Sequence, residues 1–443
     1  MSDWGERKAP GSGDTIFALS TPPGRSAVAV IRLSGPRSGE ALRALTGRNL
    51  TPRRATFAQF RDPVSGAPLD EGLALFFPAP ASFTGEDCGE IQGHGSLAAI
   101  SAVLRALSAL EGLRTAEPGE FTRRALRNGK LDLDRVEALA DLIDAQTDQQ
   151  RKLALQIPDK GPATLAAAWR ETMLDSLAEI DARLDFSDES DVDALENEAL
   201  AGRLMAFGQD VRAQMAASER ASRIRQGFVV ALCGPPNAGK STLLNALVGR
   251  EQAIVSPHAG TTRDTIEVAL DLNGLLVTIV DTAGIRETAD PVEAIGVDRA
   301  RSAAERANFT IWLDAPDASA DPDMKVDLRV WSKADVCAAP EHDFRISARS
   351  GENVERLLNL IAEQALGASV EGSEIGVLRE RHFDLAHAIA GDIDAAAALV
   401  RQDRLEVAAA HLRGALVSVA ALGSKSSDED VLDRIFGRFC IGK

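Results

Sequence analysis

Short apolar runs separated by turn residues fill the first part of the chain. Order is expected from Asp14-Thr15-Ile16-Phe17-Ala18-Leu19, after a polar, Gly/Ser-rich start over 1–13 that reads as a frayed tail. A turn at Thr21-Pro22-Pro23-Gly24-Arg25 leads into Ala27-Val28-Ala29-Val30-Ile31-Arg32-Leu33, a β-branched run closed by Ser34-Gly35-Pro36. Ser38 to Leu45 has the spacing of a short helix, extended segments recur near 56–61, 72–77 and 89–92, and 96–110 is helix-like. Mixed strands and helices over this length predict an α+β domain. From Leu131 to about Arg225 the period changes to that of helices. Asp134 with Glu137 three positions on resembles a helix start, and Val136, Leu139, Ala140, Ile143, Thr147 and Gln150 follow at helical spacing. Pro158 and Lys160-Gly161-Pro162 interrupt the pattern. Further helices are expected over about 163–184 and from about Asp193 to Arg225, with an acidic break at 185–191. A buried-strand run, Phe228 to Cys233, then opens a nucleotide-domain pattern over roughly 227–368. Two long alanine-rich helices, Leu378 to Leu399 and Leu405 to Leu422, follow it. The simplest architecture inserts that domain into a helical bundle whose halves flank it, with Gly372-Ser373-Glu374-Ile375-Gly376 as the return point.

A chain of 443 residues exceeds one ordinary core, so two or three domains are expected. Its net charge of −17 is uneven: residues 1–128 hold 15 Lys and Arg against 13 Asp and Glu, so the remainder carries −19. Nucleic-acid binding over the whole surface is disfavoured, because phosphate neutralisation needs clustered Lys and Arg; a local patch or a basic partner must supply the contacts. Cys88, Cys233, Cys337 and Cys440 lie far apart with no C-x-x-C pair, which argues against a zinc site or disulfide framework and suits a reducing cytosol. No apolar run is read as reaching membrane-span length and the start lacks the apolar core of a signal peptide, so a cytoplasmic location is expected.

The chemistry centres on Gly234-Pro235-Pro236-Asn237-Ala238-Gly239-Lys240-Ser241, the G-x-x-x-x-G-K-[ST] spacing between a strand and a helix. Its glycines let backbone N–H groups curl around phosphate oxygens, Lys240 adds a mobile charge and Ser241 can ligate Mg²⁺. Four further signatures follow in register. Thr262 in Ala259-Gly260-Thr261-Thr262-Arg263-Asp264 can close the Mg²⁺ shell. Asp281 in Asp281-Thr282-Ala283-Gly284 can hold the ion through water, and the Gly284 N–H can reach γ-phosphate. Asp335 in Ser332-Lys333-Ala334-Asp335 can accept both donors on the guanine edge, and Ser347-Ala348-Arg349 fits the turn that meets guanine O6. Together these predict GTP binding. Two positions depart from small signalling GTPases. Ser332 stands where asparagine is usual, offering one hydroxyl, so looser nucleotide binding that Ser332→Asn would tighten is expected. Ile285 occupies the place of the water-orienting glutamine, leaving Arg286, Glu287, Glu293 or Asn237 as candidates for that work.

Three polar-glycine clusters punctuate the first domain: Pro22 to Arg25, Ser82 to Asp87 and Gln92 to Gly95. Each reads locally as a turn, and His94, with no second His nearby, is assigned a loop role. The acidic run 185–191 lacks the glycine and distal glutamate of an EF-hand and reads as a solvated turn.

With these residues in view the chain resembles the MnmE (TrmE) tRNA-modification GTPases over nearly all its length. The likeness is carried by Thr21-Pro22-Pro23-Gly24-Arg25, Phe83-Thr84-Gly85-Glu86-Asp87, Gln92-Gly93-His94-Gly95, Pro118-Gly119-Glu120-Phe121-Thr122, Lys130-Leu131-Asp132-Leu133, the phosphate loop with Asn237, Gly260 to Asp264, and Phe439-Cys440-Ile441-Gly442-Lys443. The resemblance implies an N-terminal α+β folate-binding and dimerisation domain (1–128), an all-α helical domain (129–226 and 369–443) and an inserted α/β P-loop, Ras-like G domain (227–368). Arg32, Glu90, Lys130 and Lys443 match positions lining a pocket for a tetrahydrofolate derivative; Cys440 is placed near that pocket, as a nucleophile or a packed thiol, the second being preferred. Asn237 matches a K⁺ ligand, joined by loop atoms of Ser256, His258 and Thr261, and Glu293 matches the residue that orients attacking water. The implied GTP site comprises Asn237, Ala238, Gly239, Lys240, Ser241, Thr242, Ser256, Thr261, Thr262, Asp281, Thr282, Ala283, Gly284, Ser332, Lys333, Asp335, Ser347, Ala348 and Arg349, with Glu293, Lys240 and Asn237 catalytic and Ser241 and Thr262 on Mg²⁺. Departures from the family pattern are Ser332, His258 at a usually aliphatic position, and Pro158 in a usually continuous helix.

The implied function is a K⁺-dependent GTPase acting as a homodimer with an MnmG-like partner that holds FAD, in a heterotetramer that modifies C5 of the wobble uridine of certain tRNAs. A stand-alone folate-dependent aminomethyltransferase with a vestigial G domain is one rival, and a ribosome-assembly or signalling-type GTPase switch without folate chemistry is another.

Overall fold

The computed structural model describes residues 13–185, 194–250, 252–254, 267–281, 307–319, 321–322, 324–336, 344–366, 378–423, 433, 435–437, 439 and 442. They fall into two compact units, 1–140 with 424–443, and 141–423.

The first unit is built on a six-stranded sheet of β1 (Thr15–Leu19), β2 (Ser26–Ser34), β3 (Thr56–Arg61), β4 (Pro68–Phe77), β5 (Cys88–Gly95) and β6 (Leu113–Thr115), in the order β3-β4-β5-β2-β1-β6. Only β1 and β6 pair in parallel. Alternation along β2 sends Ala29, Ile31 and Leu33 to one face, where α1 (Ser38–Thr46) and α2 (Leu97–Ser108) cover them with Leu42, Leu45, Val103 and Leu107. On the other face, α3 (Glu120–Arg127) closes over the β1 end through Ile16, Ala18, Ala116 and Phe121. The 82–87 loop covers Ser34 on that face, and beyond it, among the described residues, part of the face stays exposed. Phe57 opposes Leu73 and Leu73 opposes Gln92, which opposes Val30, and Val28, Phe57 and Leu73 are 53%, 62% and 38% exposed.

Two expectations need correction here. Gln92 to Gly95 is strand, not turn: it is the C-terminal half of β5. A Cβ on Gly95 would lie 2.2 Å from the Ser26 carbonyl oxygen of β2, so the glycine serves close strand approach. His94 therefore sits on a strand rather than in a loop, where its Nδ1 pairs with Asp70 Oδ1 at 2.7 Å. Second, Asp134 is expected as the N-cap, but α4 (Leu133–Asp144) starts two residues earlier, with Asp132 as its cap: Asp132 Oδ1 accepts the Arg135 N–H at 2.8 Å, while Asp134 lies inside the first turn.

The second unit begins with a helix break that the continuous period from Val136 to Gln150 hid. Thr147 caps α5 (Asp148–Lys160) in a capping box with Gln150. Pro158 lies within α5, and the interruption falls at Gly161, before α6 (Pro162–Asp185). With α7 (Ala194–Gln226), α10 (Glu380–Arg401) and α11 (Leu405–Leu422), α6 encloses a core of Trp169, Met173, Ile180, Leu204, Val211, Ile389, Ile393 and Leu412. By length and mean hydropathy (1.5) α11 could cross a membrane, which corrects the expectation that no run reaches that length. Its Leu405, Ala408, Leu412, Ala415, Val419 and Leu422 are nonetheless buried in this bundle.

Between α7 and α10 lies a five-stranded sheet of β7 (Phe228–Cys233), β8 (Glu267–Leu272), β9 (Leu275–Asp281), β10 (Phe309–Asp314) and β11 (Leu328–Trp331), in the order β11-β10-β7-β9-β8. All neighbours are parallel except the β8–β9 hairpin. Helices α8 (Lys240–Val248) and α9 (Val354–Leu366) pack on it through Leu243, Leu244, Leu247, Leu357 and Ile361. A mostly parallel sheet with helices binds ligands beyond its strand C-termini, where β7, β9, β10 and β11 here end.

Candidate functional site

β7 runs buried into the loop 234–239 because both its neighbours are parallel strands. A Cβ on Gly234 would lie 2.3 Å from the Leu313 carbonyl oxygen, so the loop can leave the sheet here only with glycine. Asn237, exposed at φ 64°, and Gly239, at φ 92°, turn the backbone towards the N-terminus of α8. Lys240 is 6% exposed, and its Nζ donates to the carbonyls of Gly234 (2.7 Å) and Pro235 (2.8 Å), which joins the end of the loop to its start. The Ser241 hydroxyl donates to Asp281 Oδ2 at 3.4 Å, and Asp281 is 1% exposed at the end of β9. A hydroxyl beside a buried carboxylate is a hard-oxygen pair of the kind Mg²⁺ prefers, so the residues present fit that ion.

The base-reading loops converge on the same end of the sheet. The Ser332 N–H donates to the Asp314 carbonyl (2.7 Å), and its hydroxyl donates to the Ala238 carbonyl at 2.6 Å. With Ser332 only 4% exposed, this single hydroxyl ties the base loop to the phosphate loop. Ser332→Ala strands a buried acceptor, at a cost of about 1 kcal/mol. GDP affinity, measured by calorimetry, is therefore expected to fall about fivefold; an unchanged Kd would deny the tie any part in binding. Lys333, at φ 55°, directs Nζ to Asp317 (2.7 Å). Asp335 accepts the Ser347 hydroxyl at 2.7 Å, and this bond, with the more distant charge of Arg349, holds its carboxyl below the ordinary range. Ser347 is itself fixed, its N–H donating to Glu352 and its oxygen accepting from Ser350 N–H. Ala348 packs on the core beside it, while Thr242 and Arg349 are exposed. Ser256, His258, Thr261, Thr262, Thr282, Ala283, Gly284 and Glu293 lie outside the described residues.

A second cluster forms in the first unit. Arg32 and Glu90 are register partners on β2 and β5 and pair at 3.3 Å, with the guanidinium 5.5 Å from the Phe83 ring centroid. Lys130 lies along the 82–87 loop, its Cε 3.2 Å from the position a Gly85 Cβ would take. Ser34, Thr84, Glu86 and Cys88 interlink beneath it, Ser34 Oγ lying 2.7 Å from Thr84 Oγ1 and 2.8 Å from Glu86 Oε2. Neither the Phe83 stack nor this network was signalled by spacing. The C-terminal motif folds onto the same unit. Phe436 and Phe439 pack with Val136, and the Ser20 hydroxyl donates to the Gly442 carbonyl at 3.0 Å. That bond sets the motif against the residue preceding Thr21-Pro22-Pro23-Gly24-Arg25. Cys440 and Lys443 lie outside the described residues.

Two family profiles match the chain: the GTP-binding protein TrmE N-terminus over residues 15–130 and the MnmE helical domain over 133–440. Among curated proteins, a tRNA modification GTPase MnmE of Rhodopseudomonas palustris is 46% identical over 98% of this chain and 99% of its own. Another, of Parvibaculum lavamentivorans, is 47% identical over 97% of this chain and 100% of its own. Among solved structures, the G domain of the T. maritima FeoB iron transporter is matched at 23% identity and a TM-score of 0.23, over 31% of this chain and 98% of that one. The chain belongs to the MnmE family of tRNA modification GTPases.

Proposed function

We propose that this chain is a K⁺-dependent GTPase that, with an MnmG-like partner carrying FAD, installs an aminomethyl-type group on C5 of the wobble uridine of certain tRNAs, using a one-carbon unit from a tetrahydrofolate. As a member of its family the chain is a GTP hydrolase. The observation that carries the reading is the convergence of Lys240, Ser241, Ser332 and Asp335 at one end of a parallel sheet, with the base loop bonded to the phosphate loop. Lys240 exchanges its two carbonyl partners for phosphate oxygens when nucleotide enters, Ser241 and Asp281 hold Mg²⁺ with Thr262, and Asp335 selects guanine. Asn237, Ser256, His258 and Thr261 hold K⁺, which supplies positive charge at the γ-phosphate, and Glu293 orients water.

The folate assignment draws support from Arg32 and Glu90, a cation and a carboxylate side by side. Each matches one end of a ligand that has both an anionic glutamate tail and a donor-rich pterin. Lys130 and Lys443 complete that site. The homodimer draws support from the open sheet face, whose Val28, Phe57 and Leu73 are the kind of apolar area that a second copy covers. The domain limits proposed are 1–128, 129–226 with 369–443, and 227–368, in the cytoplasm.

Nucleoside analysis of tRNA after deletion of the gene tests the whole reading: wobble uridines are expected to lose their C5 substituent, and normal wobble uridines would overturn it. GTP turnover is expected to rise when Na⁺ is replaced by K⁺ and to collapse in Glu293→Ala; turnover indifferent to both would remove the K⁺ mechanism. Calorimetry with 5-formyl-tetrahydrofolate separates this reading from a switch without folate chemistry, which predicts no heat.

A further inference from the structure

The first turn of α5 reaches the end of α7 through Gln150 and the nucleotide-binding sheet through Gln149. Thr147 locks this turn: its hydroxyl accepts the Gln150 N–H, and Gln150 Oε1 accepts the Thr147 N–H at 3.1 Å. Gln150 Nε2 then donates to the Arg225 carbonyl (3.2 Å), in the last turn of α7 just before β7. Gln149 Nε2 donates instead to the Asn273 carbonyl at 2.7 Å. Asn273 and Gly274, at φ 58° and 86°, form the two-residue turn of the β8–β9 hairpin. A Cβ on Gly274 would stand 2.6 Å from Gln149 Cγ, so the glutamine stem lies flat against the bare backbone. Gly227 adds an independent contact: its Cβ position is 3.0 Å from the Leu276 carbonyl oxygen, so the exit of α7 is pressed on the start of β9. At the opposite end of this seven-residue strand stands Asp281, facing the Ser241 hydroxyl. Asp281 stands about 20 Å from the turn along one continuous strand that pairs with β7 on one side and β8 on the other.

We propose that Gln149 is a positioning residue for GTP turnover: by gripping the Asn273–Gly274 turn it fixes the axial setting of β9 and hence of Asp281 against Ser241. The proposal rests on the hydrolase reading above. It requires an amide donor at the reach of glutamine; glutamate has the reach but no N–H, and alanine has neither.

The test uses full-length Gln149→Ala and Gln149→Glu. Peptide-resolved hydrogen exchange is read across 267–281 with and without GDP, alongside steady-state GTP turnover and thermal melting. Both variants are expected to exchange about fivefold faster at the turn and in β9, the loss of one hydrogen bond. Turnover is expected to fall about fivefold in kcat, with KM within twofold and Tm unmoved. Glutamate performing as well as glutamine, or faster exchange with normal kcat, would overturn the proposal. So would a lowered Tm with exchange raised throughout the unit, since Gln149 would then be merely structural. If the unaltered protein failed to turn over GTP, the hydrolase reading would fall, while the exchange contrast would still report whether Gln149 holds the hairpin.

Discussion

Asp335→Asn is expected to lower GTP affinity about a hundredfold and to improve binding of xanthosine triphosphate. Guanine presents two donors, N1–H and the 2-amino group, to one carboxylate. The Ser347 hydroxyl takes one lone pair on Oδ1, and an ionised carboxylate has about four acceptor sites, so both oxygens stay available. The same hydroxyl keeps the group ionised, its carboxyl held below the ordinary range. Two charge-assisted bonds are at stake, each worth roughly tenfold in affinity. Asparagine of the same shape puts an N–H where the 2-amino group needs an acceptor. Xanthine has a carbonyl at that carbon, which accepts the amide N–H. Competition of GTP and xanthosine triphosphate against a fluorescent GDP measures both changes. Equal losses for the two nucleotides would mean that the variant has lost the loop rather than the specificity.

The phosphate loop and the strands around it were legible because their chemistry is local: the spacing from Gly234 to Ser241 carries its own geometry, and β7, β9 and β11 end where the motifs begin. Where local chemistry is ambiguous, the sequence misled. Asp132 and Asp134 are equally good caps by type, and only the backbone path selects Asp132. Gln92 to Gly95 has turn composition, but its glycine is demanded by Ser26 on a strand more than sixty positions away in the chain, so a window around the cluster cannot tell strand from turn. The weight of Ser332 was likewise hidden. As a lone hydroxyl it looks like a weakened asparagine, yet its partner Ala238 lies 94 residues distant and the bond is buried. Gln149 carried no motif at all, and its meaning comes from a hairpin 124 residues on.

Arg124→Met is expected to destabilise the first unit at neutral pH by about 3 kcal/mol, the cost of breaking a buried ion pair from one side. Arg124, its side chain 11% exposed, bonds Asp14 (2.9 Å), Glu86 (2.9 Å) and Glu120 (3.2 Å). Arg114 bonds Asp14 at 2.5 Å and makes a two-pronged pair with Glu120, whose side chain is 7% exposed. The network fastens the start of β1, the 82–87 loop and α3 together, and so holds the ground on which Phe83 meets Arg32. Burial alone would raise the Glu120 carboxyl, but the hydrogen bonds and charges of Arg114, the Glu117 N–H and the charge of Arg124 bring it below its ordinary value. Asp14 is lowered by the same two arginines against its own burial. For carboxyls lowered in the folded state, the stabilisation is complete above the unfolded value near 4 and disappears as pH falls through the folded one. The deficit of Arg124→Met should therefore be full at pH 7 and smaller at pH 3, because below about 4 the unfolded carboxyls take up protons before the lowered folded ones and the stabilisation that Arg124 gives them falls. Because the chain has more than one unit, peptide-resolved hydrogen exchange across β1 and α3 in urea is the fitting measure. A deficit of equal size at both pH values would assign the loss to the packing of the Arg124 stem, and the charge network would have no share in it.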